Sequence, residues 1–352
     1  MTDFKHNNEE NYIEIIQRLV KCVVILLILV VALIVLNLAD LSSPKKIVPQ
    51  QNTLSSKSSD SASVLISNSY ATAPDTILIH NEKNAALIYY GRDLIANTSF
   101  YLGPSGKVKK ISNGMNCQNC HIDAGTKIFG NNYLAVAATY PKFRERSGKI
   151  ESIYKRVNDC FERSLNGQGL DTNCNEMKAI QAYIKWLGKN FTKGEKPKGS
   201  GIKELAYLNR AADPDKGKVV YSLKCKNCHG SKGEGKMNTD KIAYQYPPLW
   251  GEHSYNHGAG LFRLSRFAGY VKYNMPQGAS IDNVQLGDEE AWDVAAFVNS
   301  QPRPEKDLKN DWPKISGKPV DHPFGPYADN FTEAQHKYGP FDPIEDAKKK
   351  NK

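Results

Sequence analysis

The sequence predicts an all-α protein: two similar helical modules in tandem, preceded by an N-terminal transmembrane helix. Three observations carry this reading. Two Cys-x-x-Cys-His pentads, Cys117-Gln118-Asn119-Cys120-His121 and Cys225-Lys226-Asn227-Cys228-His229, stand in separate halves of the chain. Each pentad has a helical pattern ahead of it and another behind it. An apolar run from Val23 to Ala39, broken only by Asn37, lies near the N-terminus.

A pentad of this kind is the attachment site of a c-type haem. Its cysteines form thioethers to the porphyrin vinyl groups, and the adjoining histidine ligates the iron. Zinc would draw the two Cys-x-x-Cys units into one site, yet each pair carries its own trailing histidine. A thioredoxin-like redox pair would need no histidine at all. The chain is therefore expected to bind two haem c groups covalently, through Cys117, Cys120 and His121 and through Cys225, Cys228 and His229. The modules are then cytochrome c-like domains. Of seven cysteines, the pentads leave only Cys22, Cys160 and Cys174, so no disulfide framework is needed.

Lys and Arg number 47 against 37 Asp and Glu, a formal charge of +10. No nucleic-acid motif accompanies this excess, and the basic residues are spread along the chain. For a haem protein the charge suits anionic substrates or acidic redox partners better than nucleic acid.

In chain order, residues 1–40 are expected to form a cytoplasmic N-terminus and a membrane anchor. With Cys22, the apolar run reaches about the length of a spanning helix. No small-x-small cleavage site follows at once, which favours an uncleaved anchor over a signal peptide. Lys21 stands where a lipoprotein cysteine would need a small residue. Flanking charges tie, so they do not orient the helix. The haems do, because c-type haem is attached outside the cytoplasmic membrane. The rest of the chain is thus expected on the periplasmic side of that membrane.

Residues 41–75 are Ser-rich and without period, the mark of a flexible tether. Residues 76–200 form the first domain, with helices over Ala85–Ile95, Ile150–Leu165 and Glu176–Leu187, and a Gly/Lys/Pro linker at its end. Residues 201–302 repeat the plan, with helices at Lys218–Leu223 and Glu289–Asn299. Residues 303–352 are a Pro/Gly/aromatic tail predicted to wrap the surface.

Each iron needs a sixth ligand or an open position. In the second domain Met275 lies in Tyr273-Asn274-Met275-Pro276-Gln277-Gly278, a loop setting that suits a distal thioether. His253 and His257 are its competitors. The first domain has no equivalent loop. It offers Met115, Met177 and Cys160. On the helix predicted over Ile150–Leu165, Arg156 and Ser164 lie four residues to either side of Cys160, hence on its face. A buried cysteine is commonly just a small hydrophobe, but an arginine neighbour favours the thiolate. Both readings of Cys160 stand. Cys174, in a polar loop, is read as incidental.

Longer motifs sharpen this. Asn113-Gly114-Met115-Asn116 before the first pentad and Ile122-Asp123-Ala124-Gly125-Thr126 after it resemble the dihaem thiosulfate dehydrogenase/tetrathionate reductase family. So do Tyr140 to Gly148 (YPKFRERSG), Asn158 to Ser164 (NDCFERS), and the tail segments Pro323 to Tyr327 and Gln335 to Phe341. The resemblance runs from about Ile77 to Ile344. It implies thiolate ligation of an active-site haem, carried here onto Cys160. It also implies a substrate site of basic residues and a serine, carried onto Arg146, Arg156, Ser164 and Lys185. Met275 matches the family's ligand to an electron-exit haem. Some relatives have a lysine just before that methionine, where this chain has Asn274.

The activity so implied is interconversion of two thiosulfates and one tetrathionate, with two electrons passed to or from a soluble or membrane-bound c-type cytochrome. Two rivals remain at this stage. One is a membrane-tethered electron carrier without a substrate of its own, which a Met177-ligated first haem would favour. The other is a sulfur-oxyanion cytochrome that loads thiosulfate onto a carrier protein.

Overall fold

The structure is a computed structural model that describes residues 17–31 and 70–350. It divides into two units between Ile66 and Ser67. In the first, residues 17–31 are helical. This corrects the expected transmembrane helix: among the described residues no helix is long and apolar enough to cross a membrane. The described helical residues include Arg18 and Lys21. Residues 1–16, residues 32–39 of the apolar run and residues 41–69 of the expected tether lie outside the described residues.

The second unit is helical, with two short antiparallel hairpins that the sequence reading did not contain. Strands β1 (Lys142–Arg144) and β2 (Lys149–Glu151) pair, as do β3 (Lys236–Met237) and β4 (Tyr244–Tyr246).

In the first domain, α1 covers Ala85–Ala96. Helix α2 covers Ile153–Asp159. It starts later than its periodicity suggests because β2 takes Lys149–Glu151 and Ser152 then caps it, accepting from the Lys155 N–H. At Cys160 the helix widens into a π turn over Cys160–Ser164, with the Leu165 N–H donating to the Cys160 carbonyl. Helix α3 (Asn175–Leu187) buries Met177, Ile180, Ile184 and Leu187. Cys174 caps it, its sulfur accepting from the Met177 N–H. Helices α1 and α3 cross at Gly91, where a Cβ would fall 2.0 Å from the Ala179 carbonyl oxygen. Only glycine allows so close an approach.

The second domain repeats this crossing. Helix α4 (Pro214–Lys224) opens with Asp213 as N-cap and proline in its first turn. It packs on α6 (Asp288–Ser300), and a Cβ at Gly217 would fall 1.9 Å from the Asp293 carbonyl oxygen. Helix α5 (Leu264–Asn274) packs on α6 and ends at Met275. The tail touches both domains. Phe341 is buried against Tyr207 and Trp292, and Asp311 makes a bidentate ion pair with Arg163.

Candidate active site

Cys160 sits where α2 passes into the π turn, its N–H bonded back to the Arg156 and Val157 carbonyls. π turns recur at functional positions. Arg156, Cys160 and Ser164 line one cavity of about 320 Å³, as does Arg146 from the β1–β2 turn. Arg144, Arg163, Arg263 and Arg266 also line it, so six arginines stand against two carboxylates, Glu151 and Asp159.

The arginines differ in how far they are committed. Arg163 is held by Asp311 at 2.8 and 2.9 Å. Arg263 is paired with Asp321, and Arg266 with Glu204 at 3.0 Å. Arg146 donates to the Gly258 carbonyl at 2.7 Å and lies 3.9 Å from Asp311. Burial, with repulsion from Arg163, pushes its pKa down to about 10. Arg156 is raised instead, first of all by the charge of the Cys160 thiolate.

Behind Cys160 the cavity meets an apolar cleft of about 200 Å³ lined by Cys117, Cys120 and His121 and by Val157, Phe161, Ile180 and Ile184. Cys160 and Arg156 line both spaces. The cleft fits a haem. Its walls are apolar, both thioether cysteines are at hand, and the His121 ring is oriented by Nδ1 on the Asn131 carbonyl, which leaves Nε2 for iron. Burial lowers the His121 pKa to about 4, so the ring is neutral as a ligand must be.

A second cleft, about 420 Å³, is lined by Cys225, Cys228, His229 and Met275 within a wall of Leu249, Phe267, Val271, Val294 and Val298. His229 Nδ1 engages the Pro247 carbonyl at 2.8 Å, again leaving Nε2 free. Cys120, Tyr255 and Leu261 line both this cleft and the arginine cavity, so the two sites share a wall.

Other sequence candidates fall elsewhere. Lys185 is exposed on α3 and does not line the cavity. Met177 is fully buried among core residues and lines neither cleft. His257 accepts from the Lys306 N–H in the tail. Asn274 is buried, donating to the Phe129 and Tyr270 carbonyls. Sequence reasoning missed Arg144, Arg263, Arg266 and Trp312 as cavity residues. Arg144 lies within the motif YPKFRERSG and was within reach; the other three come from distant segments with no local signal.

Residues 107–191 match the family described as SoxA/TsdA, cytochrome c domain, and residues 214–302 match the cytochrome c family. A thiosulfate dehydrogenase of Psychrobacter arcticus is 36% identical over 68% of this chain and 71% of its own length. One from Allochromatium vinosum is 35% identical over 66% of this chain and 84% of its own. The chain belongs to the thiosulfate dehydrogenase family. The solved structure of thiosulfate dehydrogenase (TsdBA) from Marichromatium purpuratum aligns with a TM-score of 0.62 at 29% identity, covering 78% of this chain. This chain spans 55% of that longer one. With two cytochrome c domains in this family, the chain carries two covalently bound haem c groups.

Proposed function

We propose that this chain is a dihaem oxidoreductase interconverting two thiosulfates and one tetrathionate. The observation that carries the reading is the arginine cavity opening on Cys160, beside the cleft that holds His121. An electron carrier without a substrate has no use for such a cavity. The chain works in the periplasm, where c-type haem is attached, and exchanges electrons with a c-type cytochrome.

Arg146 and Arg156 hold the two dianions together against their mutual repulsion, and the planar guanidinium fork suits oxyanion geometry. Ser164 adds a neutral donor. Cys160 would hold the first haem through its thiolate and is also the covalent catalyst. Its sulfur forms an S–S bond with the outer sulfur of one thiosulfate as two electrons leave. The outer sulfur of the second thiosulfate then attacks the thiosulfate sulfur bound to Cys160. That step breaks the bond to Cys160, releases tetrathionate and restores the thiolate. The two haems would supply the acceptors for these two electrons. Met275 would hold the second haem through its thioether, a ligand type that raises the reduction potential.

The test is thiosulfate-dependent reduction of a one-electron acceptor by the holoenzyme, with tetrathionate quantified, for the wild type and Cys160→Ala. Tetrathionate from the wild type and none from the variant is expected. A variant that turns over normally would end the covalent scheme. A wild type that makes no tetrathionate from thiosulfate alone would return the carrier-loading reading.

A further inference from the structure

The cleft of His229 and Met275 belongs to the second domain, yet part of its wall comes from the first. Ile122, Asp123 and Lys127, just past the first pentad, line it. Hydrogen bonds tie this stretch of the first domain to the chain around Met275. The Tyr270 hydroxyl on α5 donates to the Asn119 carbonyl, inside the first pentad, at 3.1 Å. The Asn274 amide, at the end of α5, donates to the Phe129 carbonyl at 3.1 Å. The Lys127 ammonium donates to the Ala279 carbonyl, in the loop beyond Met275, at 2.8 Å. The first domain thus grips the chain both before and after Met275.

The gripping loop is itself firmly set. Phe129 and Asn131 have φ of +54° and +57°, the left-handed region that a bulky side chain such as phenylalanine rarely occupies. Such backbone persists only where its surroundings over-determine it. Here the Phe129 N–H donates to the Gly199 carbonyl and the Asn131 N–H to the Gly201 carbonyl, each at 2.9 Å. The Asn131 carbonyl is also the one that orients His121. Residues 127–131 therefore hold the histidine of the first cleft and, through Lys127, the Met275 loop of the second.

We propose that Lys127 is a positioning residue for Met275: its ammonium fastens the loop beyond Met275 to the first domain and so keeps the thioether at the second haem. The proposal rests on the reading of Met275 as the ligand of that haem. Helix α5 fixes Met275 from one side only, because the helix ends there. Beyond it the backbone bonds locally, the Ala279 N–H returning to the Pro276 carbonyl. A loop fastened at one end opens locally at small cost. A bond from a charged donor, which is stronger than a neutral one, closes the other end.

Lys127→Met keeps an unbranched side chain and removes the donor. Three readouts on the oxidised holoenzyme decide: the red absorption band of thioether–iron ligation, imidazole titration, and the second-haem potential. Met275→Ala identifies which signals belong to the second haem. Lys127→Met is expected to weaken the band and to bind imidazole at the second haem about ten-fold more tightly. The potential should fall as the thioether loosens, and the melting temperature should not move. A lowered potential with imidazole affinity unchanged would mean that Lys127 acts by its charge alone, and would overturn the positioning role. An unchanged band and affinity would overturn it too, and leave Met275 as the ligand. A wild type without the band, or a band that survives Met275→Ala, would overturn the reading of Met275 and the proposal together.

Discussion

The two haem domains are built by one device and lined differently. Each crosses its first and last helices at a glycine, Gly91 and Gly217. Each presents a histidine whose Nδ1 is held by a backbone carbonyl. They differ in what faces that histidine. In the first domain the cleft wall carries Cys160 at a π turn, next to Arg156 and a cavity of arginines. In the second, α5 ends at Met275 within an apolar wall. The two clefts therefore differ at a single helix end in each domain, Cys160 in one and Met275 in the other, while the scaffold is shared.

The largest effect expected from breaking this contrast is at Cys160. On the proposed scheme Cys160→Ala should lower turnover by about 10³-fold or more, because that scheme makes Cys160 both nucleophile and ligand. The second haem's spectrum should be unchanged. Loss of both haem signals would mean that the domains are not separable. The reciprocal change is Met275→His. Replacing a thioether by an imidazole should lower the second potential by on the order of 0.1 V, read by redox titration. The first haem should titrate as in the wild type. If its potential moved equally, the shared wall of Cys120 and Tyr255 would have to couple the sites strongly.

The crossing glycines test the similarity rather than the difference. Gly91→Ala and Gly217→Ala each drive a methyl into a backbone carbonyl that cannot yield, so each should destabilise by about 1–3 kcal/mol. Thermal unfolding of the holoprotein should show comparable losses for the two. One tolerated glycine would mean that the domains solve the crossing differently.

These glycines also mark where sequence reading stops. Both pentads and the main helices were legible, because a ligand spacing or a 3.6-residue period lies within one segment. The helix Ala85–Ile95 was found, but within it Gly91 reads only as a weak helix former. The Arg156–Cys160–Ser164 stripe was visible because it is local, although the π turn that shapes it left no signal. Arg263, Arg266 and Trp312 reach the cavity from far along the chain, and nothing in their own neighbourhoods announces it. The transmembrane expectation failed for a related reason. A local apolar run states a composition, and among the described residues no helix is long and apolar enough to cross a membrane.

Lys185 supplies the smallest and most discriminating effect. It follows Ile184, which lines the first haem cleft, yet successive helical residues point about 100° apart. Its side chain accordingly emerges on the exposed face of α3. A cation there acts on the cavity only through solvent, where exposed charges are screened within roughly 8 Å at physiological salt. Lys185→Ala should therefore leave kcat/KM for thiosulfate within about two-fold, as exposed substitutions do. The small residual effect should vanish as salt is added. A ten-fold loss that persists in high salt would bring Lys185 to the substrate, and the arginines alone would no longer account for how the first domain differs from the second.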